Sequence, residues 1–416
     1  MNVRPYSILR FLLIPGLCLI GFLFPDYTYA QIDSLIYSQD YQIDRSAKGQ
    51  LTLEIDNIDF VRDNEYDGKR TKGYTLPGFW IQPTLGFQPL SNLKIEAGLY
   101  LLRYWGANKY PCLNYSDVAE WKGDQYQKGF HLLPFFRVQA ALSKNFDIII
   151  GNLYGKTNHN LAEPIYNKEI ALTGDPESGV QLLWKTKPMD FDMWVNWESF
   201  IFNQDEHQES FSFGVSTRFK TNHPGSKVHF YFPVQVLFQH RGGEINTEME
   251  NRSIKTWLNA AAGVGMDLNF RNRLFKKLNV EMIGTYFGQQ AGSMFPFKKG
   301  YGIYPKVTAD IYRFRVYAAY WQCKDFISIF GNPLFGAISV TETGHRYDKP
   351  KMILAGVEYS QSLGKGFAWG IHADVYNTFA VDAYGLDNIQ YKEKGFMNFA
   401  AGIYFRINPS FLIKTF

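Results

Sequence analysis

The sequence predicts an all-β fold: a transmembrane antiparallel β-barrel of about sixteen strands (roughly 14–18), with short turns at one end and longer loops at the other. Three observations predict it. Apolar and polar residues alternate with period two in segment after segment. The connections between those segments alternate in length. The segments also follow an N-terminus that reads as an export signal.

Residues 1–30 are that signal. Arg4 and Arg10 supply positive charge, and the run from Phe11 to Phe24 holds no charged residue. Thr28-Tyr29-Ala30 offers small residues at the cleavage positions, so Gln31 is the expected mature start. The run is too short for a membrane-spanning helix. Cys18 follows Leu17, where a lipoprotein signal wants a small residue. Residues 31–49 form a periplasmic N-terminal segment that reads equally as a tail, a plug or a partner-binding strand. Residues 50–416 form the barrel.

The strands follow in order. Leu51 to Asp63 is the first. Gly78 to Pro89 puts Phe79, Ile81, Leu85 and Phe87 on one face. Leu93 to Tyr104 sets Leu93, Ile95, Ala97, Leu99 and Leu101 against Lys94 and Glu96. Phe130 to Ser143 sets Leu132, Phe136 and Val138 against Arg137 and Gln139. Phe146 to Gly155 and Gly179 to Thr186 alternate less clearly. Phe191 to Phe202 opposes Met193, Val195 and Trp197 to Asp192 and Glu198. Phe211 to Phe219 opposes Phe213 and Val215 to Ser216 and Arg218. Val228 to His240 is the cleanest, with Phe230, Phe232, Val234 and Val236 against Gln235 and its neighbours.

The second half repeats the pattern. Leu258 to Leu268 carries Ala260, Ala262 and Val264 outward. Leu278 to Gly288 pairs Val280 and Met282 against Glu281. Tyr301 to Ile311 pairs Val307 and Ala309 against Lys306 and Asp310. Phe314 to Gln322 pairs Val316 and Ala318 against Arg313 and Arg315. Ile353 to Tyr359 follows, then Phe367 to Val375, with Ile371 and Ala373 against His372 and Asp374. Phe399 to Ile407 closes the set, with Ile403 and Phe405 against Arg406. Long connections run 107–129, 156–178, 241–254, 289–300, 324–350 and 381–395; the others are short. Asn203 to Glu209 is short where a long loop is due. A Greek-key sandwich has no reason to alternate this way.

Composition agrees. Aromatic residues make up 17% of the chain, with 35 Phe and 27 Tyr. In a barrel half of the strand residues meet lipid and half meet water, although a large β-sandwich has a similar composition. Net charge is +4, with acids and bases mixed, which gives no sign of a nucleic-acid partner. Cys112 and Cys323 build no metal or redox spacing; a disulfide and two separate thiols both remain open. No metal site or cofactor is expected.

The run Gly402-Ile403-Tyr404-Phe405-Arg406-Ile407 and the terminal Phe416 resemble the closing signal of Gram-negative outer-membrane β-barrel proteins of the Bacteroidota type, porin-like or transporter-like. The resemblance implies an outer-membrane location and recognition of Gly402, Phe405, Ile407 and Phe416 by the barrel-insertion machinery. It also implies contact with outer-membrane lipid and lipopolysaccharide. Pro409 makes one unbroken strand through both segments awkward, because proline removes a ladder donor.

The polar faces then line a lumen wide enough for water: Lys94, Glu96, Arg137, Gln139, Asp192, Glu198, Arg218, Gln235, Glu281, Lys306, Asp310, Arg313, Arg315, His372, Asp374 and Arg406. Tyr100, Phe135, Trp194, Phe200, Tyr231 and Trp257 join them. Lys324 to Pro350, with Phe326, Ile327, Ile329, Phe330, Leu334 and Phe335, is the expected plug. Trp80, Trp105, Trp184, Trp197 and Trp369 are expected in the interfacial girdles. The acidic tips Asp175-Pro176-Glu177 and Asp205-Glu206 read by default as solvated loop charge, with contact to calcium or lipopolysaccharide-bridging ions as the alternative.

The expected function is a channel or transporter for small polar solutes through this charged lumen. The alternative is a closed barrel that scaffolds an outer-membrane complex, with Tyr110, Tyr115 and Trp121 as a partner-protein surface. No catalysis is expected: His372 and Asp374 alternate on one face with no serine or second base beside them, and no phosphate loop or zinc-protease motif is present.

Overall fold

A computed structural model describes residues 32–106, 112–117, 122, 128–201, 207–243, 254–270 and 272–416. The expected signal peptide, Tyr110, Trp121, Asp205 and Glu206 lie outside them. The barrel begins with β1 (Gln50–Glu65), β2 (Tyr74–Leu90), β3 (Leu93–Tyr104), β4 (Phe130–Ala141) and β5 (Phe146–Asn152). It continues through β6 (Ser178–Lys185), β7 (Met189–Ser199), β8 (Ser210–Lys220), β9 (Val228–Arg241), β10 (Lys255–Asn269) and β11 (Phe275–Ala291). Next come β12 (Lys299–Ile311), β13 (Phe314–Lys324), β14 (Arg346–Tyr347), β15 (Lys351–Gly364) and β16 (Phe367–Thr378). The chain ends with β17 (Val381–Tyr384), β18 (Gln390–Glu393), β19 (Met397–Ile407) and β20 (Ser410–Thr415).

Every barrel strand pairs antiparallel with its neighbour, β13 with β15 and β16 with β19. β19 returns to β1, from Asn57↔Ile407 to Glu65↔Phe399, and closes a sixteen-stranded barrel. All sixteen expected segments are strands. β14, β17 and β18 form a separate three-stranded sheet beyond the loop end, inside segments that read as loops. Pro409 acts as the sequence implies. β19 stops before it, Ile55 donates to the Pro409 carbonyl at 3.1 Å, and β20 resumes pairing against the lower half of β1.

The period-two pattern sets which way each side chain faces. On β9, Val228, Phe230, Phe232 and Val234 are 38–43% exposed, while His229, Tyr231 and Gln235 are buried. That apolar band needs hydrocarbon around it, as a β-barrel that crosses a membrane does. No helix among the described residues is long and apolar enough to cross a membrane. Both chain ends of the barrel and its short turns share one end, the periplasmic one; the long loops mark the outer end.

The core of the molecule is its lumen, and three segments of its own chain fill it. Residues 32–47 enter from the periplasmic end, where Ile36 and Tyr37 are buried. Residues 153–177 fold inward from the outer end, with Ile165, Ile170 and Leu172 buried. The expected plug, 324–350, is there too, with Phe326, Ile327, Ile329, Leu334 and Phe335 at 1% exposure or less. Each such side chain contributes about 1.5–3 kcal/mol by leaving water, which is why these loops do not hang in solvent.

Candidate functional site

The structure places the predicted lumen residues on the inner face and uses most of them to hold the filling segments. Arg406 pairs with Asp56 at 2.9 Å and donates to the carbonyls of Ile36 and Ser38. Gln139 donates to Tyr41 O, and Gln235 to Asn160 O. Lys306 pairs with Glu163 at 3.0 Å, and Asp192 accepts from His159 at 2.7 Å. Others pair along the wall. Lys94 meets Glu54 and Glu96, Arg137 meets Glu96, and Arg315 grips Asp310 through two nitrogens. Glu281 and Asp374 accept tyrosine hydroxyls from Tyr231 and Tyr317. Arg218 lies over the Tyr231 ring and Arg313 over Tyr312. His372 sits between Arg62 and the Tyr404 hydroxyl, at 2.9 Å from each. Of the closing-signal residues, Phe405 faces lipid, Ile407 pairs with Asn57 and Phe416 packs edge-on against Phe87.

Several expectations need correction. Trp80 is not a girdle residue: Phe79 and Ile81 face lipid, so parity turns it inward, where Nε1 donates to Ala171 O. Phe200 is 59% exposed rather than luminal, because β7 has ended at Ser199. Asp175 and Glu177 are not solvated tips; they sit in buried ion pairs. Cys112 and Cys323 are separate buried thiols.

The wall itself carries the feature that points to a site. β5 and β6 have only 7 and 8 residues. β4 pairs with β5 only as far as Arg137↔Gly151, and β6 pairs with β7 only as far as Gly179↔Asn196. Gly151, at φ +95°, turns the chain out of the ladder, and the Phe136 amide is left to the Asn152 side chain. Among the described residues, no strand lies between residues 130–136 of β4 and 197–199 of β7. The gap follows roughly 20 Å of strand on the β4 side, in the outer half of the barrel. Phe130, Leu132 and Phe136 line its lipid side at 49–56% exposure.

A cavity of about 50 Å³ bridges the gap. Its walls combine His131 from β4, Asn196, Trp197 and Glu198 from β7, and Lys122, Lys156, Asp175 and Glu177 from the loops. Lys122 pairs with Asp175 at 3.0 Å, and His131 bonds the same carboxylate through Nδ1. Burial pushes Asp175 up, but Lys122 and His131 outweigh it and hold the carboxyl well below the usual range. His131 Nε2 faces the Lys128 carbonyl at 2.9 Å, so both ring nitrogens meet acceptors. His159 is held the same way, between Asp192 and Glu177. Burial lowers Lys156 to about 8. Glu198 is 8% exposed; its Oε2 accepts from Gln239 at 2.9 Å and Ser210 at 3.3 Å, and the Ser212 side chain also bonds the carboxylate.

Sequence reasoning named Glu198 only as a wall residue. It named Asp175 only as an acidic loop tip and passed over Lys122 and His131, which meet Asp175 from a segment more than forty residues away in the chain. Among the described residues, no group of three or more His, Cys, Asp or Glu is placed to hold a metal ion.

A sequence model of the lipid A 3'-O-deacylase-type family matches residues 43–416. No curated protein matches the chain. Similar solved structures include OccAB4 of Acinetobacter baumannii, at 9% identity and TM-score 0.46 over 88% of this chain and 99% of that one. OpdK of Pseudomonas aeruginosa has 9% identity and TM-score 0.45, over 88% and 100%. OmpT of Vibrio cholerae has 8% identity and TM-score 0.42, over 86% and 97%. The family match overturns the expectation of no catalysis, because deacylases are enzymes.

Proposed function

Since the chain belongs to the lipid A 3'-O-deacylase-type family, we propose that it is an outer-membrane esterase that removes an ester-linked acyl chain from a lipid A-class glycolipid. The observation that carries this reading is the gap between β4 and β7. A lipid substrate stays in the outer leaflet, so its ester has to reach polar catalytic groups sideways through the wall. The gap offers that route: apolar Phe130, Leu132 and Phe136 lie outside, and His131, Asp175, Lys122 and Glu198 lie just inside. Lys122 and the exposed Lys128 at the rim suit the phosphates of such a glycolipid. Lipopolysaccharide is then both membrane neighbour and substrate. The test is expression in a Gram-negative host followed by mass spectrometry of its lipid A. Loss of one acyl chain is expected; an unchanged lipid A profile from cells whose outer membrane holds the folded barrel refutes the reading.

A second reading, passage of small polar solutes, draws support from the charged wall and from a cavity of about 350 Å³ at the periplasmic end beside Ser34, Arg313 and Glu358. It requires the filling segments to move. Steady single-channel current in a planar bilayer supports it. Silence, with partner proteins co-purifying, supports a scaffold instead.

A further inference from the structure

We infer that Arg103 is a headgroup site on the outside of the barrel: its guanidinium binds a phosphate of the glycolipid and holds the acyl chains beside the gap. This inference rests on the reading above for the identity of the lipid, and adds where that lipid is held.

The outward row of β3 supplies the first observation. Leu93, Ile95, Ala97, Leu99 and Leu101 face lipid, and the next outward residue is Arg103. From Leu93 to Arg103 the strand climbs roughly 26 Å, at about 3.4 Å per residue and a tilt of about 40°, and the apolar band of such a barrel is about 25 Å tall. Arg103 therefore stands where hydrocarbon gives way to headgroups. β3 runs from a short turn toward the loop end, so the headgroups it meets are those of the outer leaflet. Trp105, 49% exposed, follows on the same row as a girdle residue.

The second observation is the surroundings of the cation. Among the described residues no carboxylate pairs with Arg103. Its guanidinium lies over the Trp105 ring at 5.0 Å, and its cross-strand neighbours are Phe79 on β2 and Phe130 on β4. The ring orients the cation and leaves its N–H groups to an acceptor from outside. A guanidinium offers those donors as a planar fork that fits a phosphate.

The third observation is position. Phe130, directly opposite Arg103, is the apolar edge of the gap. A lipid whose phosphate sits on Arg103 lays its chains along Phe130 and Leu132, with the exposed Lys128 above them. On the other side, β1 ends its outward row in Asp63 and Glu65. Anionic headgroups are repelled there and drawn toward the gap.

The test uses the full-length barrel refolded in detergent and two fluorescent probes, lipid A with its phosphates and the same lipid stripped of them. Wild type is expected to bind the phosphorylated probe about tenfold more tightly or better. Arg103→Gln should erase that preference, and Arg103→Lys should keep part of it. Lys299→Gln, which removes an exposed cation on the distant β12, should leave it intact. No preference in wild type, an undiminished one in R103Q, or an equal loss in K299Q overturns the inference. Displacement of the probe by inorganic phosphate also overturns it, by marking a site for free anions. Should R103Q not fold, Trp105→Leu removes the ring under the guanidinium and should lower the preference; an unchanged preference overturns the inference. Released fatty acid is measured in parallel. A preference abolished in R103Q with no fatty acid released by wild type supports the headgroup site and overturns the deacylase reading. Release by wild type with an equal preference in R103Q does the reverse.

Discussion

At the scale of single residues, the lumen is held by ions that sequence spacing cannot pair. His159 is the clearest case. It lies flat on Trp194 at a ring separation of 3.4 Å and is bonded by a carboxylate on each side. Burial pulls its proton affinity down, but Glu177 and Asp192 outweigh that and raise it to about 9, above an ordinary value of 6.5. A group raised on folding stabilises the fold fully below its unfolded value and stops doing so as pH climbs through the folded one. The contribution, on the order of 3 kcal/mol, is therefore present below about pH 6.5 and lost through about pH 9. Hydrogen exchange of residues 153–177 should rise steeply between pH 8 and 10, and His159→Gln should flatten that rise. Trp80 makes the complementary point. Its inward orientation follows from strand parity, since Phe79 and Ile81 on either side of it face lipid.

At the scale of elements, strand existence was legible because alternation is a local property. Val228–Arg241 reads as a strand without any knowledge of its neighbours. Strand height was not legible. Where β5 and β6 end, residues 153–177 leave the ladder and bury Ile165, Ile170 and Leu172 in the lumen, against residues distant in the sequence. The same holds for 32–47, whose place in the lumen is set by Arg406 reaching Ile36 O and Ser38 O from the far end of the chain. Arg406→Met should release this segment and strand Asp56 as a buried unpaired charge, a loss of about 3–5 kcal/mol. Limited proteolysis should then cut within 32–47 while the barrel strands stay intact; unchanged protection counts against this role.

At the scale of the whole molecule, the fold class was legible and the site was not, since the site is defined by strands that are absent. The proposed lateral route predicts an effect that depends on position alone. Both native thiols are buried, so a single introduced cysteine takes a bulky maleimide selectively. Labelled Leu132→Cys, at the edge of the gap, should abolish acyl release from membrane-bound substrate. Labelled Val264→Cys, lipid-facing on the distant β10, should leave the rate within about twofold. Equal rates for the two adducts exclude lateral entry.

The shortened β5 and β6 also act on the membrane. A cylinder with one low side presents unequal hydrophobic thickness around its circumference, and lipid answers such mismatch by thinning or by letting the cylinder lean. The outer leaflet is then most strained beside Phe130 and Leu132. A lipid there has already lost part of its ordered packing before the protein touches it, so less work is needed to draw it out of line.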